Sequence, residues 1–227
     1  MTKHKRIALS LLVVVAAAAA IGAGTFATFS AQTRNPGNVF ASGTLVLSDT
    51  KSGGSACLST GGGTTDANVN NNCDQLLSLT VKKPGDSGSA NLTVKNDGTV
   101  AASALRVFEA AACADADAPT ETYHGTGSPC GTVQLYVQQY SDAAFSTPSA
   151  CLYGGGTANA CDFSDAAKTL AAFRTSYSTS GNGLAIGSGL AAGSSVYLKV
   201  AVQLPSTADN TLQGRQATFD LTWFAQQ

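Results

Sequence analysis

Leu76–Val107, LLSLTVKKPGDSGSANLTVKNDGTVAASALRV, is the stretch that decides the fold. Apolar and polar residues alternate with period two in Leu76–Val81, in Ala90–Lys95 and in the run that opens at Ala104 and continues to Ala110. Between them stand Lys83-Pro84-Gly85-Asp86 and Asn96-Asp97-Gly98. Proline presets its own φ, glycine takes a positive φ without strain, and short Asn or Asp side chains bond to nearby backbone. Both segments therefore read as tight turns, and the stretch as an antiparallel meander.

Working outward, the same alternation recurs in Val39–Leu47, Val133–Tyr140, Val196–Leu204 and Ala217–Ala225, which brings the predicted strands to seven. In the last run Phe219, Leu221 and Trp223 share one face while Asp220 and Thr222 share the other. The aromatic and leucine face is expected to be buried. One segment has helical spacing, Asp165–Tyr177, with Ser164 as N-cap and Leu170, Phe173 and Tyr177 three and four apart. The 53–72 and 114–131 segments are long polar inserts between strands. The expectation is an all-β antiparallel sandwich with one short helix.

The N terminus says where such a domain works. Lys3, Lys5 and Arg6 precede an apolar stretch from Ile7 to Ile21, short and alanine-rich, which is a signal peptide pattern. Thr25-Phe26-Ala27 places small residues at the −3 and −1 positions, so cleavage is expected between Ala27 and Thr28. Ala23 and Ala31 mark weaker sites. No basic stop-transfer cluster follows, so no stable membrane anchor is expected after cleavage. The predicted organisation is a leader over 1–27 and one domain over 28–227. Losing three basic residues leaves ten Lys plus Arg against 14 Asp plus Glu, a net charge near −4. That balance argues against nucleic acid or anionic lipid as partner.

All six cysteines, Cys57, Cys73, Cys113, Cys130, Cys151 and Cys161, follow the expected cut, and an even count in an exported chain favours disulfides. Of the possible connectivities, the neighbour pairs 57–73, 113–130 and 151–161 are favoured, because each brackets a segment rich in loop-forming residues. Each pairing closes a short loop, worth about 3 kcal/mol by chain entropy. Metal and catalytic chemistry find little to build on. No C-x-x-C spacing, no H-E-x-x-H and no G-x-S-x-G occurs, and His124 is the sole histidine beyond the leader. His124 reads as an exposed loop residue. Asp115, Asp117 and Glu121 lack the glycine and terminal glutamate of an EF-hand and read as solvated loop charge. No cofactor, metal or catalytic residue is expected.

Four segments carry a family resemblance in order: GTFATFS at 24–30, FASGTLVLSD at 40–49, the stretch from Leu79 to Val107, and NTLQGRQATFDLTWFAQQ at 210–227. Together they resemble the TasA/camelysin family of exported Gram-positive proteins. The cysteine-bearing middle of the chain has no counterpart in that resemblance. It implies a jelly-roll-like sandwich, secretion to the cell surface or extracellular matrix, a dedicated signal peptidase as export partner, and a structural role in biofilm matrix fibres. It further implies that the mature N terminus is a donor strand added to the next copy. Carried onto this chain, the donor runs from Thr28 to about Asn38, with Thr28, Phe29, Ser30, Ala31, Gln32, Thr33 and Arg34 as its pairing residues and Phe29 as its anchor. The expected partner is a second copy of the chain in a head-to-tail fibre, with a minor accessory subunit as a further candidate. A head-to-tail interface does not close on itself and so propagates. Pro36 lacks a backbone donor, which keeps the donor strand short.

Two alternatives come from other classes. Camelysin members are described as surface metalloproteases, a reading that the missing zinc motif opposes. A non-polymerising surface adhesin suits a disulfide-bonded sandwich equally well. The chain ends at Gln227, directly after the last predicted strand and without a sorting motif, which favours release from the membrane and self-assembly.

Overall fold

A computed structural model describes residues 3–24, 37, 39, 41–62, 68–78 and 83–227. Two compact units are distinct, Met1–Ala41 and Ser42–Gln227. The first holds helix α1, Lys3–Gly24, whose apolar side chains from Ile7 to Val15 are exposed. Among the described residues no helix is long and apolar enough to cross a membrane. The expected cleavage site at Ala27 and Thr28 and the donor residues Thr28 to Arg34 lie outside the described residues, as do 79–82.

The second unit is a β-sandwich whose ladders are all antiparallel. In chain order its strands are β1 (Leu47–Lys51), β2 (Cys57–Leu58), β3 (Ser87–Asn96), β4 (Ala104–Phe108), β5 (Ala114–Asp117), β6 (Gln134–Tyr140), β7 (Pro148–Tyr153), β8 (Gly155–Gly156), β9 (Cys161–Asp162), β10 (Leu184–Ala185), β11 (Ser195–Gln203), β12 (Arg215–Thr218) and β13 (Thr222–Gln226). Six form the main sheet in the order β2-β1-β3-β11-β6-β7. A second sheet has the order β10-β4-β13, and β12-β5 and β8-β9 are separate ribbons. One-turn helix α2 (Pro129–Thr132) and helix α3 (Leu170–Ser176) complete the set.

Period-two alternation explains the core. β3 buries Ala90, Leu92 and Val94, β11 buries Leu198, Val200 and Val202, and β6 buries Leu135 and Val137. From the other layer come Leu105 and Val107 of β4, Leu184 and Ile186, while α3 contributes Leu170 and Phe173. Each of the buried Leu, Val, Ile and Phe side chains stabilises the fold by roughly 1.5–3 kcal/mol through area removed from water.

Several sequence expectations are corrected by how the backbone spends its hydrogen bonds. The Lys83–Asp86 turn forms, with the Asp86 amide donating to the Lys83 carbonyl (3.0 Å) and Gly85 at φ +92°. Asn96-Asp97-Gly98, however, does not close a meander: β3 belongs to the main sheet and β4 to the second. Asn96 is fully buried, and its amide donates to the carbonyls of Val100 (2.9 Å) and Leu190 (3.0 Å), which pins an arch between the layers. A side chain on Gly98 would collide with the backbone of Leu45 and Val46. The segment ahead of Leu47 bonds to that arch instead of a strand, with the Thr99 amide donating to Thr44 and the Asp97 amide to Val46 (2.8 Å each). The first strand accordingly starts at Leu47. Leu76–Ser78 is not strand, and the rest of that predicted run is outside the described residues.

The last predicted strand is two. β12 pairs with β5 and β13 with β4, so the ladder changes partner at 219–221 and the chain must break there. The helix also begins later than its spacing suggests. Thr169 is the N-cap, accepting from the Ala172 amide (3.2 Å), because Ser164 and Asp165 are committed elsewhere. The Ser164 hydroxyl accepts from Gly156 and donates to Asp162, and the Asp165 carboxylate accepts from Ala167.

Candidate functional site

Between the strand layers an open cleft of about 1040 Å³ is lined chiefly by apolar side chains. Leu45, Leu47 and Leu92 form one wall and Phe219, Leu221 and Trp223 the other. These last three are half-buried rather than buried, because the cleft leaves one side of each uncovered. Leu76 and Leu77 also line it, just ahead of residues 79–82.

The edges of the sandwich differ in how they are closed. At the main sheet, β1 is flanked by the two-residue β2, which the Cys57–Cys73 disulfide secures. The other edge, β7, is flanked by the β8-β9 ribbon and stapled by Cys151–Cys161. In the second sheet β10 is two residues long. β13 is five residues long, has no proline, and pairs only with β4 among the described residues. Among the described residues no strand pairs with its far side, beside the cleft, and a free strand edge is the chemistry that accepts an added strand.

The six cysteines form the disulfides Cys57–Cys73, Cys113–Cys130 and Cys151–Cys161, with Cα separations of 5.5, 5.8 and 4.9 Å. No free cysteine remains. Three disulfides suit an oxidising compartment. One grouping of metal-ligand types occurs among the described residues, Asp49 with Cys57 and Cys73, but both sulfurs are consumed by their disulfide.

The 114–131 insert is more ordered than its polarity suggests. Asp115 and Asp117 lie on β5, where Asp115 accepts from the Cys130 amide (2.7 Å) and Asp117 ion-pairs with Arg215. They are ladder and cap residues, not freely solvated loop charge, while Glu121 is exposed. His124 sits 2.8 Å from the Gly214 carbonyl and 4.0 Å from Asp117, where it anchors the β12 turn.

One buried charge was missed by sequence reading. Glu109 has no exposed surface, and neither carboxylate oxygen has a hydrogen-bond partner. Burial pushes its pKa up to about 7, with Arg174 pulling it down, Asp220 pushing it up and the Cys113 amide pulling it down. Its neighbours Phe108 and Ala110 line the cleft. The available signal was the alternation itself, since Leu105, Val107 and Glu109 fall on one face and the first two are core.

Comparison with models of known protein families, and with curated protein sequences, finds no match for this chain.

Proposed function

We propose that this chain is an exported structural subunit of an extracellular fibre or matrix, assembled head-to-tail by strand addition. One observation carries the reading: the edge of β13 that no described strand pairs with borders an open cleft whose walls include the partly buried Leu45, Leu47, Phe219, Leu221 and Trp223. An added strand satisfies the backbone of β13 and places alternate side chains against Leu47, Leu221 and Trp223. In this reading the strand comes from Thr28 to Arg34 of the next copy, freed by cleavage after Ala27, with Phe29 entering the cleft. The leader pattern and the three disulfides support export, and the resemblance to TasA-like matrix proteins supports the jelly-roll topology and the fibre role. The reading assigns no catalytic step.

Its test is electron microscopy of mature protein beginning at Thr28, beside the same protein with a folded domain fused to its N terminus and beside Trp223→Asp. Filaments are expected only from the free, unsubstituted protein. Filaments from the blocked protein, or equal filaments from Trp223→Asp, refute strand addition at this cleft. Monomers in all three samples refute the fibre role itself.

A further inference from the structure

The face of the main sheet turned away from the core carries a row of side chains that the cleft does not use. Cross-strand register aligns Thr50, Thr93, Tyr197, Tyr140 and Pro148 across five adjacent strands, β1, β3, β11, β6 and β7. At the usual strand spacing that row is about 19 Å long. Tyr197 and Tyr140 are directly opposite and partly buried. Phe145 stands edge-on to both, with ring centroids 5.8 and 5.9 Å away. Its backbone is held at φ +55°, a left-handed conformation unusual for a bulky residue. The Asp142 carboxylate fixes that loop by accepting from the amides of Ala144, Ser146 and Thr147.

Beside this aromatic row lies a pocket of about 350 Å³. Lys199, Ser89 and Asn91 line it from the outer face of β11 and β3, while Lys51, opposite inward-facing Leu92, and Leu76, Leu77 and Ser78 close its other side; among the described residues no carboxylate lines it. Lys51 donates to the Gln75 carbonyl (3.2 Å), whereas Lys199 has no ion-pair partner among the described residues. Lys199 follows Tyr197 on the same face, about 7 Å along the strand. Strands β3, β6, β7 and β11 contain no Asp or Glu, and the one carboxylate of β1, Asp49, pairs with buried Val94 on the inner face. Asp97, at the sheet's end, is taken by Lys95 and Ser48. The loops laid on this face carry carboxylates too, Asp142 held by the amides of its own loop and Asp162 beside Phe163, so Lys199 is the outward lysine of these strands without an ion pair among the described residues.

We infer that this face binds an acidic polysaccharide, a chain of pyranose rings bearing carboxylates. The apolar faces of the sugar rings stack on Tyr197 and Tyr140, and a ring carboxylate pairs with Lys199 at the mouth of the pocket. Flat aromatic faces and a lysine at one sugar's distance suit alternating apolar and anionic surface, which neither a neutral glycan nor a simple anion presents. The pocket shares Lys51, Leu76 and Leu77 with the cleft, but Tyr140, Tyr197 and Lys199 do not line the cleft, so the inference does not depend on fibre assembly.

The test is native gel electrophoresis of the disulfide-bonded mature protein through gels containing polygalacturonate, alginate or hyaluronate. Polyglutamate serves as an acidic polymer without sugar rings, and hydroxyethyl cellulose as a sugar polymer without carboxylates. Retardation is expected in at least one polyuronate and in neither comparison polymer. Tyr197→Ala and Lys199→Gln should each weaken it by about tenfold, while Tyr197→Phe, which keeps the ring, should retain it. Thermal midpoints of the variants establish that they fold. Absence of retardation in every polyuronate, equal retardation by polyglutamate or hydroxyethyl cellulose, or retardation untouched by Tyr197→Ala or Lys199→Gln overturns the inference.

Discussion

Replacing Glu109 by Gln should stabilise this domain at alkaline pH and leave it little changed in acid. The folded domain holds the Glu109 proton up to a pKa of about 7, against 4.5 for an ordinary glutamate. Below the lower value the carboxyl is protonated whether folded or unfolded, and it contributes no pH dependence. Between the two values the unfolded chain releases the proton while the folded one keeps it, so unfolding gains on folding as pH rises. Above the higher value both states are ionised, and the folded domain carries the whole cost of a buried carboxylate without hydrogen bonds. At 1.36 kcal/mol per unit that cost approaches about 3 kcal/mol. Gln has nearly the same shape and no charge, so it removes the cost without opening a cavity.

The assay is chemical unfolding at pH 5, 6.5 and 8 without reductant. The single tryptophan, Trp223, serves as the fluorescent probe because it sits half-buried in the cleft wall. Wild type should lose up to about 3 kcal/mol between pH 5 and pH 8 through this group, and the variant should be the more stable protein at pH 8. Asp97, Asp142, Asp162 and Asp209 have lowered pKa values, so their contributions are lost only as pH falls below the ordinary carboxylate range. Asp49 is raised by burial and contributes in the same direction as Glu109, so the difference between wild type and variant isolates the Glu109 part. A variant no more stable than wild type at pH 8 would show that water or Arg174 satisfies the carboxylate in solution, and the burial argument would fail.

Two further outcomes follow from the geometry. Replacing Cys113 and Cys130 together by Ser should cost about 3 kcal/mol of unfolding free energy, since the bridge closes a 17-residue separation and ties α2 beside β5; chemical unfolding of the secreted protein reads this directly. Thr169→Ala should cost about 1 kcal/mol by removing the α3 N-cap, seen as a lower unfolding midpoint, whereas Ser164→Ala should leave the helix itself unaffected.

Much of the fold was legible because burial in a sandwich has period two. β3, β4, β6 and β11 fall within a few residues of their alternating runs, and all three disulfides join the neighbouring cysteines that bracket polar loops. What alternation does not encode is the partner. Ala217–Ala225 alternates without interruption, yet its first part pairs with β5 and its second with β4, so the break at 219–221 arises from long-range pairing alone. The Asn96–Gly98 turn has hairpin chemistry, yet the destination of its chain is fixed by what Asn96 bonds to, the carbonyls of Val100 and Leu190. The helix start was misplaced for a related reason, since Ser164 and Thr169 are both good caps and only the contacts of Gly156 and Asp162 with Ser164 decide between them.

The candidate site follows the same division between local and distant information. Phe219, Leu221 and Trp223 were readable as one apolar face, but whether that face is covered depends on what packs opposite, and Leu45, Leu47 and Leu92 stand back from it across the cleft. A face that sequence patterning makes apolar and the domain's own strands leave half-covered is a cost that a monomer bears in water, at roughly 25 cal/mol for each Å² left exposed. β13 adds backbone without a ladder partner among the described residues to the same place, while β2 and β7 are secured by disulfides and β10 is short; the Ser87–Asn91 part of β3, which runs past β1, is the other such edge. Selection for a soluble monomer alone would favour a charge or a proline on β13, where the sequence instead has Thr222, Trp223, Phe224, Ala225 and Gln226. Among the described residues, an edge without a ladder partner beside a cleft walled by leucines and aromatics is what an arriving strand requires, and the proposed role as a building unit rests on that coincidence.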